Sequence, residues 1–204
     1  VDPDNGKPLW YADELDADDN PTGKRVTTSD YASADYYYVN KSSLPKVYGG
    51  FNTSLSWKGF DLSAIFAYSI GGYIYNRDIT MILHNGSLEG RAWSTEILRR
   101  WTPDNRYTDV PALSTTSNNW NSASTRFLQN NSYMRLKNLT LSYNLPKPWI
   151  SKLALSSVQV YVQGDNLFTI HKNQGLDPEQ GITGITYYRY PAMRTISGGI
   201  NIAF

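Results

Sequence analysis

From Val47 onward, apolar and polar positions alternate with period two, the pattern of a strand with one dry and one wet face. Gly49, Phe51, Thr53, Leu55 and Trp57 share one face, with Gly50, Asn52, Ser54 and Ser56 on the other. After Lys58-Gly59, Phe60, Leu62, Ala64, Phe66, Tyr68 and Ile70 alternate with Asp61, Ser63, Ile65, Ala67 and Ser69. A two-residue glycine-containing link between alternating arms predicts a hairpin. Each arm has the ~9–11 residues that a tilted strand needs to cross a bilayer. A third strand is predicted over 133–145. Met134 and Leu136 lie on one parity, Leu139, Leu141, Tyr143 and Leu145 on the other, so a β-bulge is expected at Lys137-Asn138. A fourth strand over 157–168 sends Val158, Val160, Val162 and Gly164 one way. A fifth aligns Ile196, Gly198, Ile200, Ile202 and Phe204.

The connections alternate in length. Lys58-Gly59 is minimal, and 146–156 is a short proline-bounded link with room for one helical turn, whereas 71–132 and 169–194 are long. Structureless loops of that length are uncommon in compact domains. Short turns at one end and long loops at the other are the habit of outer-membrane barrels. With the short links on the periplasmic side, the fifth strand runs inward and ends there. A soluble β-sandwich alternates too; the length asymmetry and the aromatic strand ends (Phe51, Trp57, Phe60, Tyr143, Phe168) favour the membrane reading. Five strands are too few to close, and open edges are not viable in lipid, so a barrel requires strands from elsewhere. Val1 sits in a polar, loop-like stretch and Phe204 is apolar, which reads as the C-terminal piece of a longer protein.

Composition sharpens this picture in three ways. Nineteen basic against 18 acidic residues leave a net charge of +1, without the basic excess of a nucleic-acid binder. There is no cysteine and only His84 and His171 offer imidazole, so thiolate or histidine metal centres and disulfides are not expected. Mean hydropathy is −0.48 and aromatic content 14%; no apolar run approaches the ~18 residues of a spanning helix, but alternating barrel strands escape that measure. Charge is uneven: residues 1–35 hold nine acids and three bases. Asp16, Asp18 and Asn20 imitate the start of a calcium loop, yet Pro21 and Thr27 stand where an EF-hand needs glycine and glutamate. A solvated loop is the preferred reading, with bound calcium the alternative.

The ordered set LPKVYGGFNTSLSWKGFDLSAIFAYSIGGYIYN (44–76), RWTPDN (100–105), SYMRLKNLTLSYNLP (132–146), VQVYVQGDNLFTI (158–170), GLDPE (175–179) and YPAMRTISGGINIAF (190–204) resembles the C-terminal part of SusC/RagA-type TonB-dependent outer-membrane transporters. The resemblance implies an all-β fold, an antiparallel transmembrane β-barrel of about 22 strands of which this chain holds the last five with long extracellular loops. Residues 1–46 would be an extracellular loop region and 47–204 the C-terminal barrel strands and loops, with the plug and remaining strands outside the chain. It further implies a place in the cell outer membrane and import of oligosaccharides or peptides. The implied partners are a SusD-like lipoprotein lid and TonB, the latter reached through an N-terminal region not in these residues. The alternative is a soluble, extracellular, aromatic-rich β-sandwich that binds glycans.

No catalytic residues, cofactor or metal site are expected. Asp177 and Glu179 of GLDPE are two residues apart, and an acid/base pair for glycoside hydrolysis is conceivable; no further catalytic group accompanies them, and a loop-shaping turn is preferred. The loop aromatics, among them Trp10, Trp93, Trp101, Trp120, Tyr36 and Tyr190, suit sugar or peptide stacking and protein interfaces; most are expected to pack the loops or meet the lipoprotein, and only a few to touch substrate. The spacing of Ile79, Ile82, Leu83, Ile97 and Leu98 predicts short helices within 73–101. Ile200, Ile202 and Phe204 form a terminal alternating stretch expected to act as the signal for outer-membrane assembly, since an unclosed strand edge is open to β-augmentation.

Overall fold

The computed structural model describes residues 1–86, 88–116, 119–173, 175–179 and 181–204. In chain order the elements are β1 (Trp10–Leu15), β2 (Pro21–Thr28), β3 (Val47–Trp57), β4 (Phe60–Ile70), β5 (Tyr73–Asn76), α1 (Arg77–Ile82), β6 (Leu128–Asn130), β7 (Tyr133–Asn144), α2 (Lys147–Ile150), β8 (Ser157–His171), β9 (Ile185–Thr186) and β10 (Thr195–Ala203). The chain forms two compact units: residues 1–40 with 76–127, and 41–75 with 128–204.

The second unit is built on a five-stranded antiparallel sheet in the order β10-β8-β7-β4-β3, with both outer strands open. All five expected strands are present. The β3–β4 turn has Lys58 at φ 48° and Gly59 at φ 88°, the left-handed pair that a two-residue hairpin turn requires and that suits glycine. The register places Trp57, Phe60, Tyr143, Val160 and Ile200 side by side across the sheet. One phase slip occurs where expected: Ile65 faces Asn138 while Phe66 faces Leu136, leaving Lys137 as the extra residue of β7. A second was not signalled by the pattern. Asn138 faces Asp165 and Leu136 faces Phe168, so β8 also carries an extra residue, and Asn166 there is left-handed at φ 52°. Asparagine tolerates that conformation better than most residues.

Proline opens α2, the helical turn of the 146–156 link. A small sheet in the order β6-β5-β9 caps the loop end of the unit. It draws on 71–132 and 169–194, two stretches that carry no alternation in the sequence.

The other unit differs from a plain loop. Residues 1–46, expected as loop, contain the β1–β2 hairpin and a 3-10 turn at Tyr31–Ser33. The helices expected within 73–101 appear as α1 and a 3-10 turn at Thr95–Arg99. Asn76 starts α1 by accepting a bond from Ile79 N at 3.1 Å, the usual N-cap device. Buried Leu83, Ile97, Val110 and Phe127 supply the core. No helix among the described residues is long and apolar enough to cross a membrane, which says nothing of strands.

Candidate functional site

Alternation gives the five-stranded sheet two chemically opposite faces. Leu55, Leu62, Leu141 and Val162 lie on one face in register, and no core covers them. Leu55 is 67% exposed and Ile200 62%. Trp57, Phe60 and Tyr143 lie on adjacent strands at the turn end, the Phe60 and Tyr143 rings 4.5 Å apart. Toward the loop end Phe51 stacks on Phe66 at 4.7 Å, with Phe168 in the same row beyond Leu136. Two aromatic rows thus bracket an aliphatic band.

The opposite face is a connected polar layer. Asn144 Nδ2 donates to Asp61 Oδ2 at 2.7 Å, and Gln159 Nε2 donates to Asn144 Oδ1 at 3.1 Å. Asn201 Nδ2 donates to Gln159 Oε1 at 3.1 Å, and Asn138 Nδ2 to Asp165 Oδ1 at 2.8 Å. Ser56 also donates to Asp61. Tyr161 lies over Gly199 on this face: a Cβ there would meet the Tyr161 hydroxyl at 2.7 Å, so glycine makes room for the ring. A soluble protein puts its polar face outward and covers its apolar one. Here the apolar face is left open as well as the polar one.

Asn52, Ser54, Ser63, Gln163 and Asn201 share the polar face, and Phe51, Leu55, Phe66, Val160, Ile200 and Ile202 the apolar face, as their parities in the register require. Phe204 follows the end of β10 and is 93% exposed; its carbonyl accepts from Ser156 Oγ at 3.2 Å.

At the loop end, the structure brings Asp177 and Glu179 against β7. Arg135, only 3% exposed, donates from Nη1 to Glu179 Oε2 at 2.8 Å, from Nη2 to Asp177 Oδ1, and from Nε to Thr169 Oγ1 at 2.9 Å. Lys137 Nζ reaches both Glu179 oxygens at 2.9 and 2.8 Å. Asp177 also accepts from Glu179 N at 2.9 Å and Ala192 N at 2.6 Å. Burial pushes the Asp177 carboxyl up, but these amides and the guanidinium outweigh it and hold it below its ordinary value. Both carboxylates are therefore committed to ion pairs. The sequence does not single out Arg135 and Lys137, whose partners lie about 40 residues away; the signal open to it was two bases inside a strand and two acids alone in a loop.

In the first unit, Asp16 Oδ1 accepts from Asp18 N at 2.9 Å and Asn20 N at 3.0 Å, so this carboxylate closes the β1–β2 turn; those bonds lower its pKa. Among the described residues, no group of three acidic or histidine side chains is placed to hold a metal ion. Four tryptophans pack loops: Trp10 edge-on to Tyr31, Trp93 donating to His84 Nδ1 at 3.0 Å, Trp101 donating to Pro3 O at 3.0 Å, and Trp120 beneath Arg126 at 3.8 Å. Tyr36, Tyr38, Tyr107 and Tyr190 project into solvent instead.

An antiparallel sheet with an uncovered, girdled apolar face and a hydrogen-bonded polar face defines a wall segment of a membrane β-barrel. No family model matches the chain. It is 34% identical over 206 residues to TonB-dependent receptor P3 of Formosa agariphila, covering 93% of this chain and 20% of that protein. It is 28% identical over 205 residues to the TonB-dependent receptor SusC of Bacteroides thetaiotaomicron, covering 98% of the chain and 18% of SusC. Among solved structures, the RagAB peptide importer in its closed-closed state matches at 36% identity and a TM-score of 0.82, over 100% of this chain and 22% of that one. The open-open state matches at 35% identity with the same TM-score of 0.82, over 21% of that chain. The chain belongs to the SusC/RagA-type TonB-dependent receptors, outer-membrane transporters, as their C-terminal part, and spans about a fifth of the length of these relatives.

Proposed function

We propose that this chain forms the last five strands and outer loops of an outer-membrane nutrient importer, within a barrel of about 22 strands. The carrying observation is the pair of opposite faces: exposed Leu55 and Ile200 on one, the Asp61–Asn144–Gln159–Asn201 network on the other. The apolar face meets lipid and the polar face lines the lumen. Residues 1–46 belong to the extracellular side. A glycan-binding sandwich would need a second sheet over Leu55 and Ile200, and both are exposed.

Membership of the family supports coupling to TonB and a SusD-like lipoprotein lid as partner. The cargo is an oligosaccharide or a peptide, and a peptide importer stands among the structural neighbours. No bond is made or broken in this chain, whose loop carboxylates Asp177 and Glu179 are neutralised by Arg135 and Lys137 together. Ile200, Ile202 and Phe204 act as the assembly signal, the exposed apolar end of an open edge strand.

The test is deletion of the full-length gene in the native host. Loss of growth on one oligosaccharide or peptide, restored by the gene and not by a copy lacking the plug, is expected. Purification of the tagged receptor from membranes should bring the lipoprotein with it. Unimpaired growth on every glycan and peptide tried, with no lipoprotein recovered, would refute the reading.

A further inference from the structure

Long outer loops of a transporter invite the reading of mobile lids, yet the described part of 172–194 is bound to the barrel sheet and its cap on both of its limbs. Asn131 Nδ2 donates to Pro178 O at 2.9 Å. Ser43 Oγ donates to Ile182 O at 2.9 Å, and Tyr75 N to Gly184 O at 2.7 Å. β9 joins β5 in the small sheet. Asp177 ties the two limbs of the loop together through Ala192 N, and Asn166 Nδ2 donates to Met193 O at 3.2 Å. At the centre is Arg135, whose three donor nitrogens are all occupied at near-complete burial. An arginine so buried is tolerated only when every charge around it is matched. Removing the loop would strand it.

We propose that Arg135 is a positioning residue for import: through Asp177 and Glu179 it clasps the described residues of 175–194 to β7 as a fixed wall of the barrel mouth, which does not move during transport. The wall presents an aromatic, basic tip. The Tyr187 and Tyr188 rings lie 4.3 Å apart, and Tyr188 is held left-handed at φ 49°, a conformation that persists for a bulky residue only where the surroundings impose it. With the stem fixed, that tip offers the same surface to each incoming ligand without repeated ordering costs.

This inference rests on the import reading, and the experiment separates the two. The full receptor with its lipoprotein is reconstituted, and amide hydrogen exchange over 175–194 is compared with and without a transported oligosaccharide or peptide. Unchanged exchange is expected; an approximately ten-fold change across the loop overturns the fixed wall. Arg135→Ala should speed exchange there by about 100-fold and raise the ligand concentration for half-maximal uptake, with the maximal rate per assembled barrel retained. Arg135→Lys should fall between. Should Arg135→Ala fail to assemble, Glu179→Gln, which keeps the loop's shape, should show the same changes in weaker form; wild-type exchange and affinity in that variant overturn the clasp.

Absence of uptake in the wild-type receptor with every ligand refutes the import reading instead, and the exchange measurement on Arg135→Ala still decides the clasp.

Discussion

Leu139 and Thr140 are neighbours in the middle of β7, in the central strand of the five. Leu139 faces Ala64 and Gly164 on the apolar side, whereas Thr140 faces Ser63 and Gln163 on the polar side. An 11-residue strand such as β3, rising ~3.3 Å per residue and tilted ~40°, covers about 25 Å of bilayer normal, the height of an outer-membrane apolar band. That puts Leu139 near the midplane. Leu139→Arg should then cost about 2–4 kcal/mol, a shift of roughly 30- to 1,000-fold in the folding equilibrium. Thr140→Arg enters a hydrated layer and loses one hydrogen bond, to Asn138 Oδ1 at 2.9 Å, a loss of about 1 kcal/mol. The assay is denaturant titration of the full receptor in lipid vesicles, with the folded fraction read from the heat-modified band on gels. Equal costs at the two sites, or the larger cost at Thr140, would show that the apolar face does not meet lipid.

Three further outcomes follow from the same geometry. Nitroxide labels placed singly at Ile200 and Asn201 of the cysteine-free segment should report oxygen access at Ile200 and access to a water-soluble relaxing agent at Asn201; reversed accessibility would invert the faces. Deleting Phe204 should sharply lower assembled barrel in the membrane while leaving uptake per barrel normal, and unchanged membrane levels would defeat the assembly signal. Asp177 has its pKa lowered in the fold, so its contribution to the clasp is present above the unfolded carboxyl value of about 3.9 and lost as pH falls through the lower folded value. Protease resistance of the 175–194 loop should therefore persist from neutral pH to below about pH 4, and release between pH 5 and 6 would contradict the ion-paired geometry.

What the sequence reveals tracks the range of the interaction. Period-two alternation is local, so β3, β4, β7, β8 and β10 emerge with ends within a few residues, and Lys137 announces its bulge by switching the parity of the leucines around it. The Asn166 bulge leaves no such mark, because Val162, Gly164 and Phe168 keep one parity across it. The β1–β2 hairpin leaves no alternating pattern in the sequence because its strands carry charge and threonine on both sides, with Asp19 at φ 61° in the turn. The clasp is the clearest case of non-local information. Asp177 and Glu179 read as a possible catalytic pair until Arg135, 42 residues upstream, is placed beside them.

The unequal connections also set an order of assembly. β3 and β4 are joined by two residues and β7 and β8 by a dozen, whereas joining β4 to β7 closes more than 60 residues. Loop-closure entropy rises by about 0.6 kcal/mol for each doubling of length, so the two hairpins are expected to pair before they meet. Short-range contacts of this kind also form fastest. Amides in β3–β4 and in β7–β8 should accordingly gain protection as two early blocks in pulse-labelled refolding, with the β4–β7 seam protected later. The same asymmetry that leaves one end of the sheet bare leaves the other free to carry long inserts, since the cost of lengthening them grows only logarithmically.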